Sequence, residues 1–156
     1  MKFSVGLSAL FFGAFAAAAP TADEFRLSVS DSSIAELNNR HVIKQGDVLI
    51  VSRMDSQHGL NFKGTNGSLL IENGSPIYAG ADGHLTFAKP TSNAVSSGFS
   101  FSGNTFEYNG GSFYACLEEQ IPRYGDAPKV HAIYAEKSGA SLGDNCVSIT
   151  LNKGAI

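Results

Sequence analysis

From residue 25 onward, glycine, asparagine and proline interrupt this chain at intervals of roughly 8–12 residues, and the apolar runs between them suit strands rather than helices. Phe25-Arg26-Leu27-Ser28-Val29 alternates apolar and polar side chains, the period of a strand with one buried face. Residues 41–44 and 47–51 follow, parted by Gln45-Gly46, and 54–59 reads as a loop. Asn66-Gly67 precedes the apolar stretch 68–72, and Asn73-Gly74 precedes 76–79. Asn-Gly is a strong hairpin signal because both residues tolerate positive φ. Residues 84–88, 99–101, 105–108, 113–117, 129–134 and 146–151 continue the rhythm, and 118–128, with Pro122 and Gly125, is the longest loop. About ten or eleven short strands in one chain predict an all-β fold, an antiparallel sandwich or barrel of short strands. The helical signal is confined to 32–37, one turn or two. Alternation aims Phe99, Phe101, Phe106, Phe113, Ile133 and Val147 at one face, which predicts a shared core.

The first residues obey different rules. Met1-Lys2 starts positive, 3–15 is mostly apolar, and 16–19 is all alanine, with Pro20 close behind. That is the pattern of a secretory signal peptide, whose peptidase has narrow pockets at −3 and −1. Proline is a poor residue at +1, so cleavage is expected after Ala18. The organisation that follows is a signal peptide over 1–18 and a single secreted β domain over 19–156. The apolar run is shorter than the roughly 20 residues a membrane span needs. The last six residues lack the hydrophobic tail of a lipid-anchor signal, so no membrane anchor is expected. Of the 11 basic side chains, Lys2 leaves with the signal peptide; 10 against 14 acidic gives −4. A chain so charged has no basic patch for nucleic acid or anionic lipid.

Cys116 and Cys146 both lie in the exported part, and an even pair in an oxidising compartment points to a disulfide. Closing a loop of about 30 residues stabilises a fold by roughly 3–4 kcal/mol on the chain-entropy model. Asn66-Gly67-Ser68 and Asn73-Gly74-Ser75 are N-glycosylation sequons in turn-like contexts. Pro76 after the second makes Asn66 the better acceptor.

Catalytic and metal-binding patterns are missing. His41, His58, His84 and His131 are scattered singly, without the His-x-x-x-His spacing of a helical metal site. Two cysteines without neighbouring histidines do not make four zinc ligands. Glu118-Glu119 is the only adjacent carboxylate pair, and neighbours on an extended chain point to opposite faces, which suggests solvated charges. No nucleophile elbow, zinc-protease helix or phosphate loop occurs. The expectation is a protein that is not an enzyme, with no catalytic residue, no metal and no cofactor. Tryptophan is absent, so a carbohydrate platform would have to come from tyrosines such as Tyr78, Tyr108 or Tyr124. Tyr124, in a polar loop, is expected to be simply exposed.

Several strings run in a characteristic order: Ile77-Tyr78-Ala79-Gly80-Ala81-Asp82-Gly83-His84-Leu85-Thr86-Phe87, Ser97-Gly98-Phe99-Ser100-Phe101, Thr105-Phe106-Glu107-Tyr108-Asn109-Gly110 and Phe113-Tyr114-Ala115-Cys116. With the strand 129–134 and Cys146-Val147, they make residues 64–151 resemble the PhiA-type cell-wall proteins of filamentous fungi. More distantly the stretch resembles the C-terminal domain of the PIR cell-wall mannoproteins. The resemblance implies a non-enzymatic extracellular or cell-wall-associated structural protein of a fungus, contributing to wall organisation or development. It implies also a Cys116–Cys146 link between two late strands, and contacts with cell-wall polysaccharide or other wall proteins. Asp82-Gly83 is followed by His84, so the Asp-Gly-Gln repeat through which PIR proteins are esterified to glucan is not present. The first half also lacks the additional cysteines of PhiA-type proteins. A secreted effector or allergen-like binding protein is the alternative that shares these compositional features.

Overall fold

Alternation places one row of β1 (Glu24–Ser30) inside: Phe25, Leu27 and Val29 are at most 2% exposed, while the residues between them stay half in solvent. This is the structure's basic device, repeated through a computed structural model that describes residues 24–65, 67–71, 73–87, 96–118, 129–135 and 143–156. A tight turn at Gly46 joins β2 (Val42–Gln45) to β3 (Val48–Val51). The next hairpin pairs β4 (Phe62–Thr65) with β5 (Ser68–Ile71), and a short one pairs β6 (Tyr78–Ala79) with β7 (Leu85–Thr86). Then come β8 (Phe99–Ser102), β9 (Thr105–Tyr108), β10 (Phe113–Glu118), β11 (Val130–Ala135) and the long β12 (Cys146–Gly154). Every named strand pairing is antiparallel, and the only helical piece among the described residues is a single 3-10 turn, Ala35–Leu37. The fold is all-β, as the strand rhythm predicts.

β1 and β12 form the spine. They pair from Arg26↔Gly154 to Ser30↔Thr150, and each strand is long enough for its other edge to serve two neighbours in turn. Along β12 that edge meets β10 first and β9 beyond it; along β1 it meets β4 first and residues 39–41 beyond. Two hydrogen-bonded circuits result. One runs β1–β12–β10–β11–β3–β2 and returns to β1 through the Ser28↔His41 bridge and the Val29 N–H donating to Arg40 O (2.9 Å). The other runs β1–β4–β5–β8–β9–β12, with Phe99 N–H donating to Gly67 O (2.9 Å) between the β4–β5 turn and β8. Closure of this kind satisfies edge groups that an open sheet would leave unpaired. The β6–β7 hairpin fills the corner where β3 and β11 part, held by Val48↔Thr86 and His84↔Tyr134. Gly83 makes that approach possible. Its φ is +91°, its carbonyl accepts from Ala135 N–H at 2.7 Å, and a Cβ there would lie 2.5 Å from Ala135 O.

One apolar core fills both circuits. Phe99, Phe106 and Phe113 stack in a column, with centroids 5.5 and 5.1 Å apart and planes within 10°. Full burial of each ring is worth roughly 2–3 kcal/mol. Ile133 joins them, while Phe101 and Val147, at strand ends, pack against the core half-buried. β3 is buried on both faces: Leu49 and Val51 enter the main core, and Ile50 joins Val130 and Ala132 in a small cluster on the opposite side. This explains why 48–51 reads as a continuous apolar run rather than as an alternation.

Candidate functional site

The inward rows of the second circuit end without closing over. On β12 the row runs Ile149, Leu151, Lys153; on β4 it runs Phe62, Gly64; on β8, Phe99, Phe101. An apolar side chain is expected at each last position. Instead β4 offers a glycine and β12 an ammonium, and a hollow of about 510 Å³ opens there, floored by Phe25, Phe99, Phe106 and Leu69 and rimmed by Ser68 and Ser100. Phe101 meets Phe25 edge to face, with centroids 5.0 Å apart and planes at 90°. Lys153 Nζ sits 5.0 Å from the Phe25 centroid and 5.6 Å from that of Phe101, within cation–π range of both. A Cβ at Gly64 would rest 3.8 Å from Phe101 Cε2 and from Phe25 Cε1, in ordinary contact. The glycine thus leaves both rings uncovered on the β4 side. The neighbouring ion pair is separate: Lys63 and Glu24 meet at 2.6 Å. Aromatic carbon, two hydroxyls and one cation suit the binding of an amphipathic molecule.

A second polar group lies outside the core, across the β6–β7 turn, β10 and β11. Tyr134 Oη donates to Glu118 Oε1, the His84 ring stacks on Tyr134 (4.6 Å, 9°), and Asp82 Oδ1 accepts from His84 N–H at 3.0 Å. Burial, the bond to Glu118 and the charges of Glu118 and Asp82 push the Tyr134 phenol well above its ordinary range. The phenol is therefore held neutral, unlike a tyrosine activated as a base. Glu118 is half-buried and engaged, which corrects the expectation of a solvated charge; Glu119 lies outside the described residues.

Cys116 and Cys146 are joined by a disulfide. They stand directly opposite each other on β10 and β12, with Leu117 N–H donating to Asn145 O beyond them, so they occupy a non-hydrogen-bonded site. Antiparallel strands bring Cα atoms closest at such sites, and here they are 4.0 Å apart. Asn73 is exposed in its turn, its Oδ1 accepting from Ser75 N–H at 2.9 Å. Asn66, the cleavage position after Ala18 and Tyr124 lie outside the described residues. Three histidines have separate places in the pairing: His41 bridges to Ser28, His84 to Tyr134, and His131 stands opposite Leu117. Among the described residues, no three His, Cys, Asp or Glu side chains group as metal ligands.

Sequence reasoning missed Gly64 and Lys153 and assigned Phe101 to the core alone. The available signal was a break in period: a glycine two residues after Phe62 and a lysine two residues after Leu151, each on an apolar row. Comparison of the chain with protein-family models, curated proteins and solved structures finds no match.

Proposed function

We propose that this chain is a non-enzymatic extracellular protein of a fungus, exported by its leader and associated with the cell wall, where it contributes to wall organisation or development. The observation that carries the reading is the cross-strand Cys116–Cys146 disulfide on the spine strand β12. Such a bond persists in oxidising surroundings and suits a protein that must last outside the cell. The apolar N-terminal run, the acidic balance and the resemblance to PhiA-type proteins support the same reading. Glycans at Asn66 and Asn73 would add to its durability. With no Asp-Gly-Gln ester motif, attachment rests on many weak contacts with wall polysaccharide or other wall proteins, each about 1 kcal/mol.

Stepwise extraction of washed walls from a fungus expressing the tagged protein tests this. Release by detergent or reductant is expected. Recovery only after glucanase would contradict non-covalent retention. Recovery wholly in the medium would favour the second reading, a secreted effector or allergen-like binding protein. The aromatic hollow under Lys153 is the feature that favours that alternative.

A further inference from the structure

We infer that the hollow at the open end of the second circuit is a binding site for a small aromatic carboxylate. The ring would occupy the gap above Gly64, and the carboxylate would meet Lys153 Nζ. This goes beyond the wall reading and holds whether the protein stays with the wall or leaves it.

Three observations converge. The first is volume: about 510 Å³ lies within the range of small-molecule sites, roughly 300–1,000 Å³. The second is the glycine. Gly64 sits inside β4 on the same row as buried Phe62 but is itself exposed at the mouth of the hollow, where a Cβ would rest 3.8 Å from Phe25 and Phe101 without clash. A strand glycine that forgoes packing marks a place where something else approaches the backbone. Phe25 and Phe101, which meet each other edge to face, both line this gap, and aromatic walls suit a flat aromatic ring. The third is charge. Lys153 occupies a position where Ile149 and Leu151 predict an apolar residue, and its ammonium is held over two rings. Among the described residues it has no carboxylate partner, and nearby Glu24 is engaged by Lys63. An ammonium carried by a half-buried lysine at the mouth of an aromatic hollow favours a ligand whose anionic end stays near the rim and whose apolar body goes inward. Ser68 and Ser100 supply hydroxyls on the same rim.

Anilinonaphthalene sulfonate is an aromatic anion that fluoresces when its rings leave water, and phenylnaphthylamine is its uncharged relative. Both are titrated into the native, disulfide-bonded protein, with near-UV circular dichroism confirming fixed packing. The anionic probe is expected to bind saturably at one site and to be displaced by naphthoate. Lys153→Met keeps the stem and removes the charge; it should weaken the anionic probe at least about tenfold while changing the neutral one by less than about twofold. Gly64→Val fills the gap and should abolish binding of both. Non-saturable binding, binding unchanged by Gly64→Val, or equal effects of Lys153→Met on the two probes would each overturn the proposal. If Gly64→Val fails to fold, the charge-selective effect of Lys153→Met and the naphthoate competition decide alone.

Discussion

His131 sits on the inward row of β11, between Leu117 across the pair and Val51 on the other side. Partial burial lowers its pKa below the usual histidine value of 6.5, because the charged imidazolium loses hydration there. The unfolded chain then takes up the proton first as pH falls. Stability attributable to this residue is complete above pH 6.5 and declines as pH drops through 6.5 toward the lowered folded value. The melting temperature should therefore fall more between pH 7.5 and pH 5.5 in the native protein than in His131→Gln, roughly the window set by that histidine. Parallel pH profiles in the two proteins would show that His131 does not couple to folding. At this scale the sequence was a good guide where one period governs one face: Phe99, Phe106, Phe113 and Ile133 are buried together as their alternation requires. It was a poor guide to Gly64 and Lys153. Each is ordinary in isolation, and each acquires meaning only from rows on other strands that end beside it.

The elements were legible in proportion to their local chemistry. Hairpins with glycine at the turn, such as β2–β3 and β8–β9, fall where the sequence places them, with Gly46 and Gly103 at φ of +58° and +61°. β4 was missed because Gly64 breaks its apolar alternation and weakens a four-residue strand signal. The 32–37 signal becomes one 3-10 turn, and the side chain of Asn38 at its end ties back to the segment before it: Asn38 Oδ1 accepts from Ser32 N–H at 2.9 Å and its Nδ2 donates to Ser32 O at 3.1 Å. β10 and β12 owe part of their pairing to a covalent bond. Removing it through Cys146→Ser, with Cys116→Ser to avoid a free thiol, should cost about 2–5 kcal/mol in urea unfolding. Hydrogen exchange should speed most at the Cys116 end of the β10–β12 pair, where only Cys116↔Cys146 and Leu117–Asn145 hold the strands. A loss below about 0.5 kcal/mol would mean that sheet pairing alone secures this edge.

The two circuits share β1 and β12, and their side chains meet in one core, so neither circuit can open without exposing the other's apolar row. Cooperative unfolding follows. Far-UV and near-UV circular dichroism should trace the same thermal transition, with equal calorimetric and van't Hoff enthalpies. Separate transitions would mean that one circuit survives alone. The sequence by itself determined the all-β class, most strand positions and the pairing of its only two cysteines, because periodicity, turn chemistry and cysteine number are local or compositional properties. Only the tertiary structure decided which strands became the spine, that the edges close into two circuits, and that an aromatic hollow lies beneath an ammonium. Phe25, Gly64, Phe101 and Lys153 stand far apart along the chain, and their rows converge only after long-range pairing has fixed how each strand lies against the next.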